Sequence, residues 1–593
     1  MTNLRPTLVR IPAVLLVVLI SAISYPGAVV VSLVTRTAPA VLPEGTAPAG
    51  SLPWLRVEHP AGARPYIADP EGRLVLLHGA IPGGLIDFWS GTDPTKTEPA
   101  PHYPIDPAAY AGRCPANSAT IRVPPLCQND VSEMRALGFN VIRLALSWSL
   151  LEPQRGVYSR QYLDRVAQVV GWARAQGLYV ILDMHQNAYS RYVGRPTEPP
   201  LPGGKPPGLW DYSGAPKWAT YTDLLPSEVY LGQREVNPAV LEADSNFWYN
   251  RAGLQDEYIG ALAAIARRFK SDSTVAGYGI FNEPWPGWNL SPGFEDLLLF
   301  PFYRRVIDAL TGARDGIRCA TQVFMPAPCG YPDLGIHDRR HLFFLDTGLV
   351  REITDFPTHL GLTLSAYPNL VLALHAYTHK YTFDALAGQQ PDKASYPFFG
   401  YEQSYKTADL EARALGAALF VTEFGSETTE DALLLRNQLA EQEKHQVGFT
   451  FWTWKENCAS GTTWGIYAGV YGDAKDQRCA YDGRPKETGV KPQSGCLRSG
   501  REALLARVYP VAVGSRDFTF SYDPSTGAFS MVGTARPQDP DSVVVIPPEV
   551  TGAAAGGDLI NAPNGFRTLT LHAPSGRFAL SVAAAPLRLA NCK

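Results

Sequence analysis

The stretch Val275-Ala-Gly-Tyr-Gly-Ile-Phe-Asn-Glu283 is an apolar run that ends in a carboxylate. A near-continuous apolar run of this length is typical of a strand that is buried on both faces, as in a parallel sheet. A charged side chain at the end of such a strand is costly unless it faces a polar site. The run Ala418-Leu-Phe-Val-Thr-Glu423 has the same pattern. The two stretches therefore predict parallel strands whose ends meet at one polar site.

Six further apolar runs accompany these two. The eight runs are Arg73–Gly79, Asn140–Leu146, Leu178–Met184, Val275–Phe281, His341–Leu345, Leu370–His375, Ala418–Glu423 and Val447–Trp454. Helical patterns lie between most of them, at about Gln128–Leu137, Arg160–Ala175, Gln255–Phe269, Phe294–Thr311, Gln403–Leu415 and Glu430–Lys444. This alternation predicts an α/β fold, a (β/α)8 TIM barrel of parallel strands. The alternative is a doubly wound open sheet, but the sequence lacks the G-x-G-x-x-G turn that would favour it.

The first forty residues differ from the rest of the chain. Arg5 and Arg10 precede an uncharged apolar stretch from Ile11 to Val34, which predicts an export signal. The stretch is long enough to remain as a membrane anchor, and its internal Pro-Gly pair equally allows a shorter signal peptide that is cleaved. Both forms place the rest of the protein outside the cytoplasm, either secreted or at the cell surface. Residues 41–52, rich in Ala, Pro and Gly, are expected to be a flexible spacer.

Residues 53–507 contain the predicted barrel. Its longest insertion, Gln186–Arg251, follows the third strand, and a loop in that place lies over the mouth of a barrel. Beyond residue 507 the helical patterns stop. Short alternating runs separated by turn residues predict a C-terminal antiparallel β-sandwich over residues 508–593. Such a sandwich packs against the barrel or binds a glycan or a surface.

Composition restricts the partners. The net charge is −4 and there is no basic run, which argues against nucleic acid as a partner. The even number of cysteines, eight in an exported chain, predicts disulfide bonds. Their spacing favours Cys114–Cys127 and Cys319–Cys329, with Cys458–Cys479 and Cys496–Cys592 as weaker pairs. No zinc-type spacing of Cys or His occurs, so no metal and no cofactor is expected. A monomer is expected.

Cleavage of a glycosidic bond uses two carboxyl groups at one site, and the barrel mouth is predicted to contain such a pair. One protonates the leaving oxygen and the other attacks the anomeric carbon, at a separation of about 5–5.5 Å when configuration is retained. We expect Glu283 to be the acid/base and Glu423 the nucleophile, in environments that separate their pKa values so that one carboxyl stays protonated near neutrality. The alternative is that each glutamate forms a buried ion pair.

The motif Asn282-Glu283-Pro284 after a fourth strand, together with Glu423 at the end of the seventh, resembles the clan A glycosidases of glycoside hydrolase family 5. The resemblance covers about residues 50–507. It implies that an Arg holds the nucleophile ionised, a Tyr donates to it, an Asn binds the sugar 2-hydroxyl and a Trp stacks under the ring. The matching positions are Arg143, His185, Asn282, His375, Tyr377 and Trp452.

Within that family, Asp183-Met-His-Gln186, Gly214–Trp218 and Asn282-Glu-Pro-Trp285-Pro-Gly287 are most similar to endoglycoceramidases. The similarity implies a glycolipid or β-linked glycan as substrate, contact with a membrane surface, and substrate binding by Gln186, Asn187 and Trp285. Asn187 stands where that group has Asp, so glucose and galactose both remain open. A galactosylceramide- or steryl-glucoside-type β-glycosidase and an endo-β-glucanase are the alternatives within the family.

A lipid aglycone needs an apolar groove. Its candidates are Trp285, Trp288, Leu290, Phe294 and Leu297–Phe302, and the alternative is that the last run is a barrel helix facing its neighbours. Two other classes of function compete with hydrolysis. They are an inactive glycan- or lipid-binding barrel and a structural protein of the cell envelope. The presence of both glutamates and Arg143 argues against the first, and the six matching site positions argue against the second.

Overall fold

The structure is a computed structural model, and it begins with three short strands outside the barrel. They are β1 (Arg56–Glu58), β2 (Tyr66–Ala68) and β3 (Leu74–Val75). The residues it describes are 47–87, 110–112, 126–193, 202–204, 212–230, 233–291, 293–313, 331–358, 367–382, 400–427, 431–457, 464–469, 496–572 and 576–589.

Eight parallel strands close into a barrel, which confirms the predicted TIM-barrel architecture. They are β4 (His78–Ala80), β5 (Val141–Leu146), β6 (Tyr179–Met184), β7 (Val275–Gly279), β8 (Leu342–Asp346), β9 (Leu370–His375), β10 (Ala418–Phe424) and β11 (Phe449–Phe451). They are buried almost throughout, as the continuous apolar runs require. The first predicted run, Arg73–Gly79, divides in two, because β3 pairs with a C-terminal strand and only β4 enters the barrel.

Helices fill the connections. They are α1 (Gln128–Ala136), α2 (Trp148–Leu151), α3 (Arg160–Gln176), α4 (Pro238–Trp248), α5 (Leu254–Phe269), α6 (Phe300–Thr311, preceded by a π-helical turn at Glu295–Leu299), α7 (Leu349–Thr354), α8 (Tyr401–Leu415), α9 (Leu434–Lys444) and α10 (Ser499–Leu505). All six predicted helices are present.

Helix α4 corrects the interpretation of the insertion after the third strand as a loop. Its residues are buried on every side, so it has no amphipathic pattern to reveal it.

Antiparallel sheets follow the barrel. A small sheet contains β12 (Lys455–Asn457), β13 (Tyr467–Gly469) and β14 (Cys496–Leu497). The C-terminal strands are β15 (Tyr509–Val513), β16 (Asp517–Asp523), β17 (Ala528–Ala535), β18 (Ser542–Ile546), β19 (Ala554–Ala555), β20 (Asp558–Asn561), β21 (Arg567–Leu571) and β22 (Gly576–Val582). They form a seven-stranded sheet, which also contains β1, β2 and β3, and a four-stranded sheet. Side chains of both sheets share one apolar cluster.

The C-terminal sheets contact the barrel at the end where its strands begin. The Tyr509 ring stacks on His78, with 3.8 Å between ring centroids, and its hydroxyl donates to the Gly138 carbonyl at 2.9 Å. Arg507 forms an ion pair with Glu443 of α9. His78 is the first residue of β4, and Gly138 precedes β5, so this contact lies at the opposite end of the barrel from Glu283 and Glu423.

None of the helices in the described ranges combines the length and the apolar character needed to cross a membrane. The proposed export segment, residues 1–40, lies outside the described residues, as does most of the spacer. Cys127 is buried, but its predicted partner Cys114 lies outside them. The other cysteine pairs also contain at least one residue that is not described.

We expect Tyr509→Ala to lower the free energy of unfolding by about 3 kcal/mol, because it removes a buried ring together with its hydrogen bond. Chemical denaturation would measure the difference. Val532→Ala, at a position on β17 that is 46% exposed, is the control and should change the free energy of unfolding by less than about 0.5 kcal/mol. Equal unfolding midpoints for Tyr509→Ala and the wild type would show that the interface does not stabilise the barrel.

Candidate active site

Arg143 is the centre of the barrel mouth. Its side chain on β5 is completely buried. One terminal nitrogen, Nη1, donates to Glu423 Oε2 at 2.9 Å. The other, Nη2, donates to Asp183 Oδ1 at 2.9 Å and to Asn282 Oδ1 at 2.8 Å, and lies 3.4 Å from Asp346 Oδ2. Burial alone would lower the pKa of Arg143, but Asp183, Asp346 and Glu423 raise it, so the guanidinium stays charged.

Glu423, near the end of β10, is held from two sides. Arg143 donates to one carboxylate oxygen, and the Tyr377 hydroxyl donates to the other at 2.7 Å. Burial, followed by the negative charge of Glu423, raises the pKa of Tyr377 well above its ordinary value, so the phenol remains a donor. Two donors fix the carboxylate in one orientation.

Glu283 follows β7 and faces Glu423 across the mouth. One oxygen from each carboxylate and one nitrogen of His375 all lie within 4.8 Å of one another. The Glu283 backbone adopts φ = +43°, which is uncommon for a residue with a β-carbon, and its N–H donates to Asp346 Oδ2 at 3.2 Å. Its side chain is 12% exposed, so the carboxylate can be reached from the mouth.

His375, the last residue of β9, lies among the carboxyl groups. Its Nδ1 is 3.0 Å from Glu283 Oε1, and its Nε2 is 3.2 Å from Asp346 Oδ2. Burial alone would lower the pKa of His375, but the surrounding carboxylates, Glu352 and Glu423 first, raise it well above its ordinary value. Glu283 and Asp346 therefore flank a positively charged imidazole.

The protonation of Glu283 differs from the expectation. Burial raises the pKa of Glu283, but the hydrogen bond and the charge of His375 outweigh it and bring this pKa to about 2. Near neutral pH Glu283 is therefore the carboxylate, and the imidazole of His375 carries the proton. A single hydrogen bond of 3.0 Å joins Nδ1 of His375 to Oε1 of Glu283.

Three of the remaining predicted positions are His185, Gln186 and Trp452. His185 and Trp452 form one wall of the mouth, with parallel rings 5.4 Å apart, and His185 Nδ1 is 3.0 Å from Asp183. Gln186 instead donates to the backbone carbonyls of Asn282 and Glu283, at 2.8 and 2.9 Å. Its side chain thus supports the loop that carries Glu283 and is not directed at a sugar.

Two predicted residues lie at the edge of the mouth. Asn187 Oδ1 accepts a long hydrogen bond, 3.4 Å, from Arg234. The positive charge of Arg234 also contributes to lowering the pKa of Glu283, which places this guanidinium on the acid side of the site. Trp285 is partly buried, and its carbonyl accepts a 2.7 Å hydrogen bond from the Trp248 indole.

The apolar run after Glu283 is mostly core. Phe294, Leu298, Leu299, Phe300 and Phe302 are buried, as a barrel helix facing its neighbours requires. Only Leu290 and Leu297 project into solvent, each 48% exposed. The alternative interpretation of the run as a barrel helix therefore applies to most of it, and two exposed leucines remain on the segment that follows Glu283.

Sequence reasoning missed three acidic members of the cluster, Asp183, Asp346 and Glu352. Asp183 is part of the motif Asp183-Met-His-Gln186, in which only His185 and Gln186 are expected at the site from the sequence. Asp346 ends the apolar run Leu342-Phe-Phe-Leu-Asp346, so the argument that identified Glu283 and Glu423 would have found it. Glu352 lies in a six-residue helix, for which the sequence offers no comparable signal.

Within the described ranges, Glu283, His375 and Glu423 are the set whose spacing comes closest to that of metal ligands. Arg143 and Tyr377 each donate to one oxygen of Glu423, and Nδ1 of His375 faces Glu283. A guanidinium in direct contact with the same carboxylate also opposes a cation. We assign no metal to these residues.

A closed parallel barrel with a buried Arg and two facing carboxylates at the ends of its strands defines a class of barrel hydrolases. The profile of the cellulase family (glycosyl hydrolase family 5) matches residues 120–458. The chain belongs to glycosyl hydrolase family 5.

Two relatives of the chain are endoglycoceramidases. The chain is 30% identical to endoglycoceramidase I of Rhodococcus hoagii (strain 103S) over 224 residues, 37% of this chain and 36% of that protein. It is 29% identical to an endoglycoceramidase of Hydra vulgaris over 195 residues, 30% of this chain and 37% of that protein. These alignments span little more than a third of either relative. The crystal structure of an endogalactoceramidase superposes with a TM-score of 0.62 at 25% identity, covering 90% of this chain and 100% of that one.

The pair formed by His375 and Glu283 predicts a pH-dependent contribution to stability. Glu283 has a lowered folded pKa, so its contribution is present above its unfolded pKa of about 4.3 and is lost as pH falls towards about 2. His375 has a raised folded pKa, so its contribution is present below its unfolded pKa of about 6.5 and is lost as pH rises through the folded pKa. The full contribution is confined to the window between the two unfolded values.

We therefore expect His375→Gln to lower the free energy of unfolding by about 3 kcal/mol at pH 5.5, because it leaves buried carboxylates without their cation. The difference from the wild type should shrink at alkaline pH, where the imidazole of the wild type loses its charge. Denaturant titrations of both proteins at several pH values measure it. A difference that stays constant from pH 5.5 into the alkaline range would contradict the ionic pairing.

Proposed function

We propose that this protein is a retaining β-glycosidase in which Glu423 attacks the anomeric carbon and Glu283 protonates the leaving oxygen. The observation that carries the proposal is the approach of the two carboxylates, one oxygen of each lying within 4.8 Å of the other. Retention requires about 5–5.5 Å between the carboxyl groups, whereas inversion needs about 6.5–9.5 Å to admit a water molecule. The separation here fits direct attack by Glu423.

The neighbours of the two carboxylates support these roles. Arg143 and Tyr377 orient Glu423 as an anion, the form that a nucleophile needs. Asn282 donates through Nδ2 to the Gln186 carbonyl at 2.9 Å, and the same amide nitrogen keeps a second hydrogen for a sugar 2-hydroxyl. This contact strengthens as the oxocarbenium-like transition state forms. Trp452 offers its face to the apolar side of a β-sugar.

We propose a glycolipid as the substrate, cleaved between the glycan and its lipid aglycone, as by the endoglycoceramidases that the chain resembles. The support is the family relationship together with Leu290 and Leu297, which are exposed on the segment that follows Glu283. Galactosylceramide- and steryl-glucoside-type substrates would meet the same residues. An endo-β-glucanase activity is the second candidate, because the matching family profile is that of cellulases.

The remaining proposals concern the export and location of the protein and the role of its C-terminal sheets. We propose that the apolar N-terminal segment exports the chain and that the protein acts as a secreted or cell-surface monomer in contact with membrane lipid. We also propose that the two C-terminal sheets form a sandwich that stabilises the barrel. Their contact at the end opposite the carboxylates supports a structural role.

Glu423→Gln is expected to reduce turnover of an aryl β-glycoside by about 10⁴-fold or more, because an amide cannot attack the anomeric carbon. The variant should remain folded, since Gln has the shape of Glu and Arg143 keeps Asp183 as a partner. In the wild type, a 2-deoxy-2-fluoro glycoside should label Glu423, which peptide mass spectrometry locates. A label on another residue would remove Glu423 from the nucleophile role. Absence of any turnover by the wild type would remove the proposed function.

The membrane proposal predicts that Leu290→Ser combined with Leu297→Ser lowers hydrolysis of a glycosphingolipid in vesicles by about 5- to 10-fold, because apolar area that would enter the lipid is lost. Hydrolysis of a soluble aryl glycoside should not change. Leu410→Ser is the matched control, since Leu410 is 66% exposed on α8, away from the loop that follows Glu283. Equal losses on both substrates would contradict a role in membrane contact.

A further inference from the structure

Glu352 is a buried carboxyl group for which the reaction as described has no use. It lies on α7, is 3% exposed, and one of its oxygens is 3.6 Å from Nδ1 of His375. Within the part of the chain that the structure describes, neither oxygen of Glu352 has a hydrogen-bond partner. A buried carboxylate without a partner is costly, whereas a neutral carboxylic acid is tolerated and offers one O–H donor.

The charges around Glu352 also favour its neutral form. Burial and the nearby carboxylates outweigh His375 and raise the pKa of Glu352 well above its ordinary value. When Glu352 is neutral, the carboxylates that still raise the pKa of His375 are Glu423 and Asp346. The charged or titratable groups that face it are Glu283 after β7, Tyr303 on α6, Asp346 on β8, Arg351 beside it on α7, His375 on β9 and Glu423 on β10. Asp183 interacts with the charge of His375, and Arg143 and His185 interact with the charge of Glu283.

Three carboxyl groups lie around the same imidazole nitrogen. Nδ1 of His375 is 3.0 Å from Glu283, 3.6 Å from Glu352 and 3.9 Å from Glu423. For Glu283 to act as an acid, the N–H bond at Nδ1 breaks and an O–H bond forms on Glu283. The positive charge of the imidazole and the negative charge of Glu283 disappear together. Nδ1 is then left with a lone pair in a buried site, where an acceptor without a donor is unfavourable.

We propose that Glu352 is a positioning residue for the acid step, donating its carboxylic O–H to Nδ1 of His375 after that nitrogen has passed its proton to Glu283. This contact stabilises the form of the site in which Glu283 is the acid. Glu352 keeps its proton throughout. Glu283 gives its proton to the leaving oxygen, takes one from the water that attacks the glycosyl-enzyme, and returns it to Nδ1 of His375, which closes the cycle. The inference rests on the proposed glycosidase function.

Two substitutions separate this role from a merely structural one. Glu352→Met keeps the length of the side chain but removes the donor, whereas Glu352→Gln keeps a donor, the amide N–H, and cannot ionise. Each variant is assayed with two β-glycosides. One has a nitrophenol leaving group that departs without protonation, and the other has an alkyl or weakly acidic phenol leaving group that needs the acid.

Glu352→Met should lower kcat/KM for the substrate that needs the acid by about 10- to 100-fold, with little effect on the activated substrate. Glu352→Gln should recover most of the loss. Glu411→Met removes another buried carboxylate, one that pairs with Arg351 on the outer side of α7, and is the control for general damage. It should leave the ratio of the two rates unchanged.

The outcomes are distinct. Equal losses in Glu352→Met and Glu352→Gln, or no selective loss in either, overturn the role of Glu352 as a donor. If Glu352→Met does not fold, infrared difference spectra of the wild type and Glu352→Gln decide. A carbonyl band of a protonated carboxylic acid that is absent from the variant supports the proposal, and no such band overturns it. A wild type inactive on both glycosides would instead reject the proposed glycosidase function.

Discussion

The guanidinium of Arg143 is a cation without access to water, and it must be neutralised inside the protein. Its partners come from three other strands and one loop: Asp183 on β6, Asn282 after β7, Asp346 on β8 and Glu423 on β10. Because desolvation of an unpaired charge costs several kcal/mol, these strand ends must converge on one point. The close approach of the two facing glutamates follows from this convergence. The catalytic geometry therefore depends on the pairing of one buried cation.

The two facing carboxylates are chemically different because their partners differ. Glu423 receives hydrogen bonds from a guanidinium, which does not release a proton in proteins, and from a phenol whose pKa is raised. Glu283 is bonded to an imidazole, whose proton can move. The low pKa of Glu283 in the free protein is thus compatible with an acid role, since the required proton is stored one hydrogen bond away. A substrate that fills the mouth and excludes water would favour the neutral pair.

The barrel could be predicted because each of its strands is buried on both faces and therefore appears as an apolar run. Helix α4 could not be predicted from periodicity, since polar residues such as Asp244 are buried along with its apolar ones. Its boundary did leave a signal, an Asn at the N-cap followed by Pro238. The pairing of β3 with β15 joins segments more than 400 residues apart, and local sequence does not specify such a register. In the site, strand ends indicated the two glutamates, but the proton position on His375 depends on distances that only the fold provides.

Helix α4, which lies in the insertion after the third strand, also supports the loop that follows Glu283. Its Glu242 accepts from the Trp288 indole at 2.9 Å, and the Ser245 hydroxyl accepts from the Trp288 backbone N–H at 2.8 Å. Between Glu283 and Trp288 lies Gly287, at φ = +63°, where a β-carbon would lie 2.7 Å from the backbone of the helix. Only glycine permits this approach. The loop that carries Glu283 and the exposed Leu290 is therefore held against α4 at Gly287 and Trp288. Because the two share one rigid support, an aglycone lying on the leucine surface would meet a proton donor whose position is already set.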